Sequence, residues 1–142
     1  ILVVAFLSTE GSPLILDADA INALSKDPIA ARRLIGNSKR SVILTPHPLE
    51  LSRLTGLSVD EIQRNRLAVA KSFAAENNCI LVLKGAGTIV TDGKTTYINT
   101  TGSSALAKAG SGDVLAGALT SLVASGVEPM HAAALSVYFH GL

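Results

Sequence analysis

Cys79-Ile80-Leu81-Val82-Leu83-Lys84-Gly85-Ala86-Gly87-Thr88 is the stretch on which the fold turns. Cys79 to Leu83 is an unbroken apolar run of strand length, with nothing polar on either side of the pleat. Such a run belongs to a strand covered on both faces, as in a parallel sheet held between helices. Lys84 ends it, and an ammonium cannot stay inside, so the strand must surface there. Gly85 and Gly87 then leave the backbone open to a flat or anionic ligand. The plainer alternative is a snorkelling lysine followed by a flexible turn.

The same grammar repeats upstream. Pro13-Leu14-Ile15-Leu16-Asp17 is a short buried strand ending in an acid, and Ser41-Val42-Ile43-Leu44-Thr45 is another, turned out of the sheet by Pro46-His47-Pro48. Helical pieces lie between them at Ala20 to Leu24 and Ile29 to Ile35, the second stopped by Gly36-Asn37. A helix from Leu49 to Leu54 ends at Gly56. Ser58-Val59-Asp60-Glu61 is a capping box, and Ile62, Val69, Ala70 and Phe73 predict one long helix from it to Asn77-Asn78. Downstream, Thr88 to Thr91 and Lys94 to Ile98 flank Asp92-Gly93 as a hairpin, with Asp-Gly supplying positive φ angles. Asp113 to Ala124 is nearly uncharged and predicts a helix buried all round, and Pro129 starts a last one. Strands alternating with helices define an α/β layered domain with a mostly parallel sheet. The strands at Pro13, Ser41 and Cys79 should be mutually parallel, with the hairpin to one side.

Composition narrows the function. Of 142 residues 48% are apolar, enough for a core, so disorder is excluded. A net charge of +1 with no polybasic run gives no electrostatic grip on nucleic acid or an acidic membrane. Ile1 to Leu7 is too short an apolar run to span a bilayer and lacks the basic flank of a signal peptide. The single Cys79 forms no internal disulfide and has no zinc-ligand company, so a reducing, cytoplasmic setting is expected. Charged residues reach only 16%, mean hydropathy is positive, and no initiator Met is present. Residues 1–142 therefore read as a single partial domain whose surface expects a covering; a complete small domain with trimmed ends is the alternative. Such a part should be inactive alone and should associate through its uncovered edge and apolar face.

In parallel α/β sheets the ligand lies beyond the carboxyl ends of the strands. Asp17, Pro46-His47-Pro48-Leu49-Glu50 and Lys84-Gly85-Ala86-Gly87-Thr88 fall at those ends, and Ala109-Gly110-Ser111-Gly112-Asp113 precedes the uncharged helix. Small residues such as Gly112 let backbone N–H groups approach a phosphate at a positive helix end. Asp113 sits in that first turn, either as a helix cap or as a base towards a hydroxyl beside the phosphate. His47, rigid between two prolines, is a site residue or a surface loop histidine. Glu50 is a first-turn helix acid, or holds a Mg²⁺ through water. Asp17 and Asp19 can be turn residues and nothing more. His131 and His140 read as structural, and Thr100 to Ser104 as a substrate loop or simply a loop. A Walker A sequence and a dinucleotide fingerprint are both absent.

Together these pieces resemble the ribokinase-like superfamily, a three-layer α/β fold in which a Gly-x-Gly-Asp loop opens a helix and its Asp serves as base. More closely, the chain is similar to the ADP- or ATP-dependent NAD(P)H-hydrate dehydratase family. The similarity rests on Leu16-Asp17-Ala18-Asp19-Ala20-Ile21-Asn22, Leu44-Thr45-Pro46-His47-Pro48-Leu49-Glu50, Leu83-Lys84-Gly85-Ala86-Gly87-Thr88, and Asn99-Thr100-Thr101-Gly102 through Gly110-Ser111-Gly112-Asp113-Val114-Leu115. It departs at Leu49, Ser103-Ser104-Ala105 and Ala109, where the family more often has Gly, Asn-x-Gly and Gly. The resemblance implies the C-terminal portion of a longer domain, here truncated. It implies that Lys84, Gly85, Ala86, Gly87, Thr88 and Gly112 bind ADP or ATP with Mg²⁺, while His47 and Asp113 contact hydrated NAD(P)H. The implied reaction phosphorylates the hydrate's hydroxyl and expels phosphate, with Asp113 as base, in a homo-oligomer when full-length. A kinase of a small vitamin precursor and a non-catalytic nucleotide-binding fragment are the alternatives.

Overall fold

The computed structural model describes residues 2–142; Ile1, the first residue of the opening apolar run, lies outside them. The run itself is helical, α1 (Leu2–Leu7), and no described helix is long and apolar enough to cross a membrane. There follow β1 (Leu14–Leu16), α2 (Asp19–Leu24), α3 (Pro28–Gly36), β2 (Val42–Leu44), α4 (Pro48–Thr55), α5 (Val59–Arg64), α6 (Arg66–Glu76), β3 (Ile80–Leu83), β4 (Ile89–Thr91), β5 (Thr96–Ile98), a 3₁₀ turn (Ser104–Leu106), α7 (Ser111–Ala124) and α8 (Pro129–Gly141).

The strands lie in the order β1-β2-β3-β4-β5. The β1–β2 and β2–β3 pairs are parallel, Leu16 opposite Leu44 and Leu44 opposite Leu81. The β3–β4 and β4–β5 pairs are antiparallel, so the sheet is mixed: parallel at its start and closed on one side by the hairpin. Strand alternation divides the core in two. Val42, Leu44, Leu81 and Leu83 face a layer that includes Ile21, Ile35, Leu51, Leu54, Ile62 and Phe73. Ile43, Ile80, Val82 and Val90 face Leu115 and Leu119 of α7 and Met130, Ala133 and Val137 of α8. The result is the three-layer arrangement expected of strands apolar on both faces.

Three local expectations need correction. The helix predicted from Ser58 to Asn77 is two, because the chain breaks at Asn65, which leaves helical geometry at φ −129°. The capping box that opens the first holds: Ser58 Oγ accepts from Glu61 N–H, and Glu61 Oε2 accepts from Ser58 N–H. The Ser58 hydroxyl also donates to Glu61 Oε2 at 2.6 Å, and this bond, together with that from the Ser58 N–H, keeps the Glu61 carboxyl below its ordinary value. Next, α7 is not buried all round: Leu115 and Leu119 are buried, but Val114 is 64% exposed. Its lack of charge therefore marks a half-covered helix, in keeping with the exposed Tyr138 and Phe139 on α8. Finally, the hairpin loop is four residues long, since Thr91 pairs with Thr96. Only Gly93 has positive φ there, and Asp92 Oδ1 instead accepts from Lys94 N–H and Thr95 N–H.

Candidate active site

The carboxyl ends of β1, β2 and β3 form one rim because these strands run the same way. Lys84 follows β3 directly. Its N–H donates to Pro46 O at 2.9 Å, which fixes the backbone beyond β3 to that beyond β2. Its ammonium donates to Asp17 Oδ1 at 2.8 Å and lies 3.9 Å from Glu50 Oε2. The partly buried Lys84 thus gathers one acid from just beyond β1 and one from the first turn of α4, which follows β2.

His47 caps α4. Its Nδ1 accepts from Leu49 N–H and Glu50 N–H at 3.2 Å each, while Glu50 Oε2 accepts from His47 N–H at 2.8 Å. This is a capping box with histidine in the place Ser, Thr, Asp or Asn usually fills. Acceptance at Nδ1 puts the neutral ring's proton on Nε2. The two prolines explain the placement: Pro48 is well suited to the first helical position, and Pro46 holds the chain extended before it. Glu50 is buried and committed to this box and to Lys84. Among the described residues no three His, Cys, Asp or Glu side chains converge as metal ligands. Glu50 Oε2 accepts from the His47 N–H, while Oε1 lies 3.5 Å from His47 Nε2.

Beyond Lys84, Gly85 and Gly87 adopt φ +137° and +61°. A side chain on Gly85 would meet Arg66, whose guanidinium donates to Leu83 O at 3.1 Å and Lys84 O at 3.3 Å. Burial lowers the Arg66 pKa from its ordinary value. Thr88 Oγ1 closes the turn by donating to Gly85 O at 2.9 Å. At the start of α7, Gly110 takes φ +83° and no side chain caps the helix. The N–H groups of Gly112 and Asp113 have no acceptor among the described residues, leaving them free for an anion.

A cavity of about 920 Å³ opens here. His47 and the segment from Lys84 to Thr88 form one wall, the loop from Asn99 to Lys108 another, and Ser111, Gly112, Val137 and His140 a third. The loop is moored by Asn99, whose amide donates to Thr101 O and Val137 O while its carbonyl accepts from Tyr97 Oη–H. Thr101 Oγ1 lies 2.9 Å from Tyr138 O, which fastens the loop to α8. His47, Lys84 to Thr88 and Gly112 thus line one space. Asp113 and Glu50 do not; Asp113 is exposed in the first turn of α7.

Sequence reasoning underrated several residues. Asp17 is an ion-pair partner of Lys84 across 67 positions, where a turn role seemed sufficient. His140 lines the cavity, its Nε2 3.1 Å from Ser111 Oγ. His131 Nδ1 lies 3.2 Å from Glu128 Oε2 on the exposed first turn of α8. Arg66 carries no sequence signal, because its role is to two backbone carbonyls.

Parallel strands ending on a cavity, with an uncapped helix N-terminus beside it, define an α/β domain of the ribokinase-like class. Solved structures agree: the ADP/ATP-dependent NAD(P)H-hydrate dehydratase of Bacillus subtilis, co-crystallised with ATP and Mg²⁺ and soaked with CoA, superposes with a TM-score of 0.80 at 39% identity over 95% of this chain and 47% of that one. A ribokinase-like superfamily protein from Enterococcus faecalis gives 0.72 at 29% identity, over 90% and 42%. The family model described as NAD(P)H-hydrate dehydratase matches residues 2–142, and the chain belongs to that family. The ADP-dependent (S)-NAD(P)H-hydrate dehydratase of Neisseria meningitidis is 43% identical over 91% of this chain and 43% of its own length. The bifunctional NAD(P)H-hydrate repair enzyme of Moorella thermoacetica is 44% identical over 91% of this chain and 24% of its own. The chain spans less than half the length of the curated relatives it matches.

Proposed function

We propose that residues 1–142 are the C-terminal portion of an ADP- or ATP-dependent NAD(P)H-hydrate dehydratase domain, a lyase that restores NAD(P)H from its hydrate. The observation that carries this is the cavity shared by Lys84 to Thr88 and the uncapped start of α7. Lys84, Gly85, Ala86, Gly87, Thr88 and Gly112 hold the adenine nucleotide, its phosphates directed at the free N–H groups of α7. A Mg²⁺ ion would be held by the nucleotide's phosphates and water, with Glu50 reaching it through water, and would offset charge on the phosphates.

Chemistry follows from what leaves well. Hydroxide is a poor leaving group and phosphate a good one. The terminal phosphoryl passes from the nucleotide to the hydrate's hydroxyl oxygen, Asp113 takes that hydroxyl's proton, and the C–O bond then breaks with phosphate leaving while the adjacent ring carbon loses a proton, forming the C=C bond of NAD(P)H. The helix end stabilises charge on the phosphoryl in flight. His47 faces the hydrate with Nε2, its ring fixed by the α4 cap. The full-length protein acts as a homo-oligomer in the cytoplasm and needs neither nucleic acid nor membrane. For the chain alone a second reading has support: Asp113 is exposed and outside the cavity, which fits nucleotide binding without catalysis.

The test supplies hydrated NADH with ADP or ATP to the full-length protein and follows absorbance at the nicotinamide band. Recovery that requires nucleotide is expected. Phosphorylation of a small alcohol with no effect on the hydrate would move the assignment to a vitamin-precursor kinase.

A further inference from the structure

We infer that Asp17 is a positioning residue, holding the Lys84 ammonium against the start of α7 where the nucleotide's phosphates are proposed to bind. The inference rests on the nucleotide-site reading. A lysine on a four-carbon stem is a flexible point charge, and its aim must come from what it touches. Asp17 Oδ1 accepts from Nζ at 2.8 Å, whereas Glu50 stands at 3.9 Å and is already bound to the α4 cap. The Asp17 and Lys84 side chains are only 15% and 21% exposed, so solvent screens the pair less than an ion pair on the open surface.

The pair also sits where the inference needs it. A Cβ built on Gly112 would lie 3.5 Å from Lys84 Nζ and 3.7 Å from Asp17 Oδ2, so both groups abut the first turn of α7. The backbone is strained immediately beyond Asp17. Ala18 has φ +47° and ψ −112°, the first central conformation of a II′ turn that glycine ordinarily takes. Asp17 O accepts from Ala20 N–H at 3.0 Å across this turn. Strain of this kind persists where surrounding structure over-determines it, and it gathers at functional sites.

Removing the Asp17 carboxylate has two opposing effects. It frees the lysine, which weakens phosphate binding, and it deletes a competing anion, which strengthens it. Positioning requires the first to win. In the full-length protein, Asp17→Ala should weaken ADP binding about tenfold by calorimetry, as expected for a misaimed charged donor. Affinity for adenosine, which has no phosphate, should stay the same. Asp17→Asn keeps an acceptor in place and should weaken ADP only about two- to threefold, in line with a neutral bond replacing a charged one. In a Lys84→Met background Asp17→Ala should cause no further weakening. If Asp17→Ala does not fold, the nearly isosteric Asn variant decides by the sign of its effect. ADP binding at or above wild-type strength in the folded variants, with Lys84→Met weakened, overturns the inference and leaves the nucleotide site standing. Intact ADP affinity in Lys84→Met removes the site reading and the inference with it.

Discussion

Gly112 separates folding from binding in one substitution. It is the second residue of α7, and a Cβ there meets its neighbours at ordinary contact distances, Lys84 Nζ at 3.5 Å and Asp17 Oδ2 at 3.7 Å. Alanine therefore fits the fold. Glycine within a helix costs roughly 0.5–1 kcal/mol relative to alanine, and at the second helical position about half of that is a reasonable share. Gly112→Ala should then hold or raise the melting temperature, by about 1–2 °C for a domain of this size. Nucleotide affinity should move the other way. The methyl group projects beside the ammonium, into the space where a phosphate would approach the backbone N–H. Losing one hydrogen bond to a charged group is worth about 1.5–3 kcal/mol, or roughly 10- to 100-fold in affinity. Gly112→Leu should abolish binding. Thermal melts and calorimetry with ADP on the same samples read both signs. Unchanged affinity in both variants would refute the placement of phosphate at this helix end.

Four further outcomes are expected. Asp113→Asn in the full-length protein should keep the fold and ADP affinity while hydrate turnover falls by roughly 10²–10⁴, the usual worth of a positioned base; normal turnover would make Asp113 a cap only. Gly93→Ala should cost about 3 kcal/mol in urea melts, from overpacking plus a strained φ, because its Cβ would lie 2.6–2.8 Å from Ala75 at φ +91°. Burial pushes the Cys79 thiol up to about 12, so alkylation at pH 8 should be negligible until denaturant opens the domain, and rapid native labelling would contradict that burial. The chain expressed alone should show no hydrate turnover and should associate in sedimentation, since among the described residues β1 pairs only with β2, and Val114 and Phe139 are 64% and 60% exposed.

How far the sequence could be read depended on the range of the interaction. The three strands that make the rim announce themselves by runs of apolar residues, because a buried strand must be apolar on both faces whatever else surrounds it. Pro46-His47-Pro48 and Lys84-Gly85-Ala86-Gly87-Thr88 are likewise legible, since proline and glycine act through the local backbone. The errors came where tertiary contact decides. Asn65 interrupts a helix whose apolar spacing continues across the break. The uncharged α7 looked like a wholly buried helix, because composition cannot distinguish a covered face from one left open. Asp17, Arg66 and His140 are site or support residues by virtue of partners 67, 17 and 29 positions away, and no window on the sequence contains such pairs.

Charge divides the rim in a way that bears on how the reaction is apportioned. On the cavity side of Gly112 the residues are lysine, glycine, hydroxyl and backbone N–H, a surface made for phosphates. The acids lie elsewhere: Asp17 and Glu50 against Lys84, and Asp113 exposed one residue further along α7. Asp17 and Glu50 hold the lysine in place while offsetting part of its charge, so the aimed ammonium and the helix N–H groups, which no side-chain partner neutralises, would share the attraction for the nucleotide. If Asp113 is the base, that arrangement would keep it within one residue of the proposed phosphate seat without placing it inside, where its negative charge would repel the phosphates. A hydroxyl brought to Asp113 from the open side would then meet the phosphoryl across the first turn of α7. On the proposed reading the nucleotide wall lies in this chain while Asp113 stands exposed outside the cavity, so binding and turnover are expected to part company in the chain alone.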